Sequence, residues 1–455
     1  MASTYLQRST GTPTSQTKFT VSAWVKRSGL NPSGNNMDIF CIYSDSSNRM
    51  HIRFQEDDID VINYGGSTQA RLTTDRKFRD TNAWYHIVWR VDTTLSTADD
   101  RVRLYVNGVQ ETSFSVRTNP SQNFSFGTNW STTRIGTDNS TSYFDGLMSH
   151  FHYSDGYSYG PDTFGSTDST TGEWKINTSP TFTLGNNGFT VLKDGNTITD
   201  QSSNSNDFSV ANGTLTKTED CPSNVFATFN SLINPNGTTL ANGNTHGNKS
   251  GDHGIVQSTI ACGYPNAPST AKFYWECKME ASTGRTVGLI KSNAPQVQTT
   301  YNDYLGQNSG GDGVIGYYLG TYVDGTQADV AYNGTASQVT ISGGWSTGDI
   351  MNHAYDASTG KYWQGKNGTW FTVGGGVGNP ATGAYPLVTL NATDRTHDIF
   401  PTDSCYDGRW SWNFGNGYFK TTAVSSAGTN ASGNGIFEYD VPSGYTALST
   451  KGLNL

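Results

Sequence analysis

The sequence predicts an all-β protein made of two β-sandwich domains joined by a small turn-rich module. Three observations carry that expectation. Only 34% of the 455 residues are hydrophobic and 15% are charged, while 52 are Gly. A surface kept polar by Gly, Ser, Thr and Asn rather than by Glu and Lys favours many short strands joined by many turns. Eleven Trp, 24 Tyr and 21 Phe supply the aromatic mass of sandwich cores and binding faces, which sets the chain apart from a disordered Gly/Ser/Asn polymer. Segments with an apolar residue at every second position recur, whereas no apolar period of 3.6 residues outlasts two or three turns and heptads are absent. At roughly 150 residues per domain the length suits two or three units.

The elements follow in chain order. KFTVSAWVKRS (18–28) places Phe19, Val21, Ala23 and Val25 on one face and Thr20, Ser22, Trp24 and Lys26 on the other, a half-buried strand. AWYHIVWRVD (83–92) is apolar on both faces, as a central strand covered from both sides is. In RVRLYVNGVQETSF (101–114) two alternating runs flank Asn107-Gly108, the preferred pair for a type I′ hairpin turn. TRIGTDNSTSYFDGLMSHFHY (133–153) supplies two more strands. Residues 1–158 form the first domain. Between 159 and 222 the pattern degrades into turns, with a small hairpin expected at Asp194-Gly195. Trp174, Phe182, Phe189 and Phe208 need burial, so this is a module packed on its neighbours rather than a free linker. The second sandwich is expected over 223–455. In AKFYWECKME (271–280) Phe273, Trp275, Cys277 and Met279 alternate with Tyr274, Glu276, Lys278 and Glu280. Asn367-Gly368 in KYWQGKNGTWFTV, and Asn333-Gly334, mark further tight turns. One more aromatic strand in GRWSWNFGNGYF precedes a closing tail.

The net charge of −9 comes from scattered carboxylates, with no basic stripe, so nucleic-acid binding has no electrostatic basis. Neither a membrane-length apolar run nor a signal-peptide pattern is present. Cys41, Cys221, Cys262, Cys277 and Cys405 are odd in number and form no CxxC pair. Free, mostly buried thiols in a protein made in a reducing cytosol are therefore expected.

The first half resembles the laminin-G-like, concanavalin-like jelly rolls, through FTVSAWVKRS, WYHIVWRVD, the LYVNG hairpin and IGTDNSTSYFDGLMSHFHYSD in that order. The second half is similar to the SPRY-like sandwich, a related concanavalin-like fold, through KFYWECKME, VGL (287–289), DIMNHAYDASTGKYWQGKNGTW and GNPATGAYP. The combination, with TFGSTDSTTGEWKI between the halves and a FEYDVPSGYTALSTKGLN ending, resembles structural proteins of tailed phages, marine ones especially. That resemblance implies a tail-fibre, tail-tip or head-decoration component. The chain shows no N-terminal adaptor and no long trimeric shaft, which favours a compact virion-surface subunit over a fibre.

Jelly rolls also host glycoside hydrolases, whose retaining members hold two carboxylates about 5 Å apart. Glu276 and Glu280 share a strand face but stand roughly 13 Å apart along the backbone, with Lys278 between them, and read as a solvated charged face. QEDDID (55–60) clusters Glu56, Asp57, Asp58 and Asp60. It reads either as a Ca²⁺ site on a rim, the ion such oxygen clusters suit, or as a solvated hairpin end. No other cofactor is expected. His150 and His152 face one side of a strand without a third ligand and read as lining a surface. No GxSxG elbow, Cys-centred signature or phosphate loop occurs, so the expectation is not an enzyme.

Glycan binding suits the composition best, because sugars stack on aromatic rings while Asn, Asp and backbone groups take the hydroxyls. Candidate rings near expected loops are Trp130, Tyr143, Trp174, Tyr318, Trp345, Trp363 and Trp370, with loops 123–145 and 295–325 as the surfaces. Core packing competes for each ring. The expected function is a structural protein on a phage virion surface attaching to host glycan. It is made in the host cytoplasm and released by lysis. Its partners are other virion proteins and its own copies, a trimer being one arrangement, with no nucleic acid and no membrane insertion. A decoration or tail-assembly subunit without a host ligand, and a glycan-degrading enzyme, are the alternatives.

Overall fold

The structure, a computed structural model, describes residues 3–30, 36–139, 141–193, 197–234, 237–249, 253–281, 285–292, 319–324, 327–332, 335–340, 345–406 and 409–454. Among the described residues there are strands and four short 3-10 turns but no α-helix, hence none long and apolar enough to cross a membrane. Two compact units follow one another, Met1–Lys217 and Thr218–Leu455.

In the first unit one sheet runs in the order Phe114–Thr118, Thr68–Thr74, Asp58–Gly65, Asn48–Gln55, Asn36–Asp45, Thr132–Ile135, Tyr5–Ser9, Ser209–Asn212. The other runs Phe189–Val191, Gly146–Asp155, Lys18–Arg27, Tyr85–Asp92, Val102–Val106, Val109–Gln110. Alternate residues of both sheets, including Phe19, Val25, Phe40, Ile52, Val61 and Trp89, meet in one core. There Phe19 stands edge-on to Trp89 at 4.9 Å, the geometry that aromatic quadrupoles favour. The 101–114 hairpin turns at Asn107 and Gly108 with φ of 49° and 78°, the left-handed pair a type I′ turn requires.

Two expectations change here. The Lys18–Arg27 strand is buried on both faces, not one. The cause is the segment expected as a separate module at 159–222. Its strands Phe189–Val191 and Ser209–Asn212 join the two sheets of the first unit. Its stretch before Phe189 covers the outer face of the Lys18–Arg27 sheet. Thr20 Oγ1 donates to Tyr157 O and receives Tyr159 N, while Phe164 packs with Val88, Tyr105, Tyr159 and Phe182. Residue type at Thr20 and Ser22 cannot reveal a cover that arrives 140 residues later.

In the second unit one sheet runs Thr239–Ala241, His246–Asn248, Arg409–Asn413, Lys272–Met279, Ile350–Asp356, Lys361–Lys366, Thr369–Trp370. The other runs His253–Gln257, Ile399–Tyr406, Arg285–Lys291, Leu319–Asp324, Gln327–Tyr332, Thr335–Thr340. The core gathers Trp275, Trp410, Trp412, Phe229 and Tyr362. His353, opposite Trp275 in the register, stacks at 5.4 Å on that ring and at 5.8 Å on Trp412. Burial pushes its imidazole down to about 3, so it packs as a neutral ring between indoles. Asn367 and Gly368 turn the expected hairpin with φ of 50° and 80°. Asp194-Gly195 and Asn333-Gly334 lie outside the described residues.

The Lys272–Met279 strand corrects a further expectation. Tyr274 and Glu276, expected on a solvated face, are fully buried. Phe226, Phe437, Tyr445 and Ala447 cover them, and Thr446–Ala447 pairs parallel with the strand. Cys41, Cys262 and Cys277 are buried free thiols, and Cys221 is a free, half-buried one.

Candidate functional site

The first unit carries an open groove of about 640 Å³ lined by Thr10, Gly11, Thr12, Pro13, Thr14, Ser15, Gln16 and Asn129. The loop that forms it is held from behind. Asn187 Oδ1 receives Gly11 N at 2.8 Å and Asn187 Nδ2 donates to Gly11 O at 2.9 Å. Thr14 N donates to Asp155 Oδ2 at 2.7 Å, and Gln16 Nε2 to Phe126 O at 3.0 Å. Burial raises the Asp155 carboxyl, against the backbone N–H groups of Thr14 and Asn187 that favour its charge. The backbone is thus engaged inward, while Thr12 and Asn129 stand exposed. Next to Asn129, the half-buried Trp130 lies across Gly127 so closely that a Cβ there would sit 2.2 Å from its ring. Trp130 also packs against the core, and the groove's shallow lining without formal charge suits neutral hydroxylated ligands.

Of the other candidate rings, Tyr143 is half-buried against Tyr5 at 6.1 Å. Trp363 and Trp345 are core residues, 1% and 9% exposed, which corrects their expected placement on a binding face. Trp363 Nε1 donates to Ala384 O at 2.8 Å, and Trp345 stands edge-on to Phe371. Trp363 thus satisfies its buried N–H on a backbone carbonyl, whereas Trp345 contributes ring packing alone, its Nε1 without a hydrogen-bond partner. Trp370 is half-buried and edge-on to Tyr274. Tyr318 lies outside the described residues, as does most of the 295–325 loop. Two exposed rings were not anticipated: Tyr385, 50% exposed at a φ of 46°, and Tyr157, 39% exposed. Their only sequence signal is a nearby glycine in a turn-rich stretch, Gly383 two residues before Tyr385 and Gly156 immediately before Tyr157. The Thr10–Gln16 wall was also missed; TGTPTSQ reads as an ordinary polar turn.

Trp174 has a structural position. It stacks on His86 at 5.9 Å and 15°, its Nε1 donating to His86 Nδ1 at 2.9 Å. An indole only donates, so the neutral imidazole keeps its proton on Nε2, which faces Ser22 Oγ at 2.9 Å. Trp24, opposite His86 in the register, stacks on its other side at 4.8 Å. Burial lowers His86 to about 3. Trp174→Phe keeps most of the ring but strands the Nδ1 lone pair. It is expected to cost the first unit about 1–3 kcal/mol, read as a lowered denaturation midpoint; no change would mean that water replaces the indole.

The titratable clusters are rearranged as well. His150 and His152, expected to line a surface, are buried. A bulge between Ser149 and His152 interrupts the register, His152 Nδ1 pairs with Thr190 Oγ1 at 2.9 Å, and its ring stacks on Phe164. Glu276 is enclosed, and Glu280 accepts from Ser411 Oγ at 2.8 Å, so the two do not face a common space. The Glu56–Asp60 hairpin end is an ion-pair network that does not fit Ca²⁺. Asp57 meets Arg79 at 2.6 Å and Arg27 at 3.6 Å, Asp58 meets Lys77 at 2.6 Å, and Asp60 meets Arg53 and Arg71 at 3.0 and 2.8 Å. Glu56 sits in the turn at a φ of 56°. Among the described residues the metal-type donors that converge are elsewhere, on Asp38, His51 and Asp138.

Comparison with curated proteins finds no match. Among solved structures the chain is similar to the PSpry domain of TRIM65, at 14% identity and a TM-score of 0.29, over 41% of this chain and 87% of that one. It is similar to the SPRY domain of human HERC1, at 13% identity and a TM-score of 0.27, over 40% and 96%. Domains LG4-5 of the mouse laminin alpha1 chain align at 9% identity and a TM-score of 0.28, over 93% and 83%. Residues 1–157 match the laminin-G model of the concanavalin A-like lectin/glucanases superfamily. This chain is therefore an all-β protein whose first unit has the concanavalin-like laminin-G fold.

Proposed function

We propose that this chain is a non-catalytic structural protein on the surface of a bacteriophage virion and that it attaches the particle to neutral host glycan through the first unit. The observation that carries the glycan reading is the open, uncharged groove of Thr10–Gln16 and Asn129, Asn129 being followed in the chain by Trp130, on a fold of the lectin and glucanase superfamily. The virion reading rests on the sequence resemblance described above. A shallow groove binds weakly alone; repeated copies around a particle axis turn weak sites into firm attachment, so a homo-oligomer assembled with other virion proteins belongs to the proposal. Synthesis in the host cytoplasm and release by lysis complete it.

A glycan array with purified full-length protein tests the ligand. Wild type is expected to retain a set of neutral glycans, Trp130→Ala to lose at least tenfold in affinity, and Asn129→Ala to lose less. Asn129→Ala should shift stability by no more than about 0.5 kcal/mol, as an exposed substitution does, which separates lost contact from lost fold. Binding unchanged in both variants would remove the groove from the proposal. Cryo-electron microscopy of particles locates the protein; particles without its density would end the virion reading.

A further inference from the structure

The cluster at Asp38, His51 and Asp138 is built as a site, and its parts come from three places. Asp38 opens the Asn36–Asp45 strand and His51 lies in the neighbouring Asn48–Gln55 strand. Asp138 follows the Thr132–Ile135 strand on a loop that folds back, because Gly136 N bonds Ile39 O, Asp38 N bonds Ser142 O and Phe144 N bonds Gly136 O. One donor atom from each residue lies within 4.8 Å of the other two. Asp38 and His51 are 0% and 1% exposed.

His51 Nδ1 pairs with Asp38 Oδ1 at 2.8 Å, while Asp38 Oδ2 and His51 Nε2, both buried, lack a hydrogen-bond partner. Leaving such buried groups unmet costs about 1–3 kcal/mol each. Buried atoms left open in this way, beside a third carboxylate within reach, are what a bound ion would engage. Asp138 Oδ1 receives Asn139 N and Thr141 Oγ1, which orients the carboxylate and leaves Oδ2 available. Asp38 and Asp138 bring two carboxylates to the cluster, and the neighbouring Arg53 is engaged at 3.0 Å by Asp60.

The geometry points to a divalent transition-metal site formed by Asp38, His51 and Asp138, with Zn²⁺ as the ion that one nitrogen and two oxygen donors suit. Ca²⁺ and Mg²⁺ prefer all-oxygen shells, and the imidazole discriminates against them. Bound there, the ion ties the 136–145 loop, which carries Tyr143, to the two strands beneath it.

The test is metal binding by the full chain after chelator treatment, with Zn²⁺ titrated against a chromophoric chelator. Wild type is expected to take up one equivalent, with millimolar Ca²⁺ failing to displace it. His51→Gln and Asp138→Asn should each weaken Zn²⁺ at least tenfold. Asp138 is half-buried on a loop, so its variant keeps the fold and isolates the ligand effect, as near-ultraviolet circular dichroism would verify. No Zn²⁺ uptake by wild type, uptake unchanged in both variants, or displacement by equimolar Ca²⁺ would overturn the assignment.

Discussion

Glu276→Ala is expected to destabilise the second unit by about 3–5 kcal/mol, because one buried carboxylate serves four donors whose loss of an acceptor is costly. Tyr274 Oη and Tyr439 N donate to Oε1, each at 2.9 Å, and Glu438 N and Asn413 Nδ2 donate to Oε2 at 2.9 and 3.4 Å. Through Glu438 and Tyr439 the carboxylate anchors the C-terminal segment over the Lys272–Met279 strand. Burial nonetheless lifts its pKa to about 7, against these donors, which favour the charged form. A carboxyl whose folded pKa is raised holds its proton longer than in the unfolded chain. Its contribution to stability is therefore full below about pH 4.5 and declines by at most about 3 kcal/mol as pH rises to 7.

His353, lowered to about 3, gives the opposite slope between about pH 3 and 6.5, so wild type alone does not isolate Glu276. The difference between wild type and Glu276→Gln does, since the histidine is common to both. Denaturant unfolding at pH 5 and pH 8 should show the wild-type advantage over Glu276→Gln shrinking at the higher pH. An advantage that stays constant would mean that the four donors hold the carboxylate charged throughout.

Asp60→Ala is expected to cost the first unit about 3–5 kcal/mol, because it removes a fully buried carboxylate on which two half-buried guanidinium groups depend. Asp60 is fully buried, bound by Arg53, by Arg71 and by Thr73 Oγ1 at 2.7 Å. Burial pushes its carboxyl up, but the two guanidinium groups and the hydroxyl outweigh burial and set it below the usual carboxylate range. With the folded pKa depressed, the stabilisation is present above about pH 4 and is lost as pH falls through the depressed value. Replacing Asp60, Arg53 and Arg71 together by Leu, Met and Met should recover most of the stability, as apolar replacement of buried ion networks does. Calorimetry of the three proteins, wild type, Asp60→Ala and the triple variant, checks this; a loss under about 1 kcal/mol for Asp60→Ala would make the network no better than a surface bridge.

Strands and turns were legible where a pattern is local. Asn107-Gly108 and Asn367-Gly368 take up left-handed backbone that most residues resist, and their flanking runs pair as the alternation implies. Faces were less legible. Thr20, Ser22, Tyr274 and Glu276 read as solvent-facing because polarity along one strand records only that residue's type. Their covers, Tyr157–Phe182 and Phe437–Ala447, come from distant sequence. The candidate rings divided on the same ground: Trp363 and Trp345 have the composition of a binding face and the position of a core, while Trp130 is half-buried at the edge of the first core.

What the sequence by itself determined is the all-β architecture, the aromatic cores and the tight hairpins, since these follow from side-chain period and turn chemistry within a few residues. Only the tertiary structure decided which carboxylates are neutralised and which converge. The four clustered in QEDDID include three met by cations from other segments, whereas Asp38, His51 and Asp138, up to 100 residues apart, are drawn together by strand pairing and a folded-back loop. Charge and ligand geometry depend on distances of a few ångströms, and those are set by packing, not by proximity along the chain.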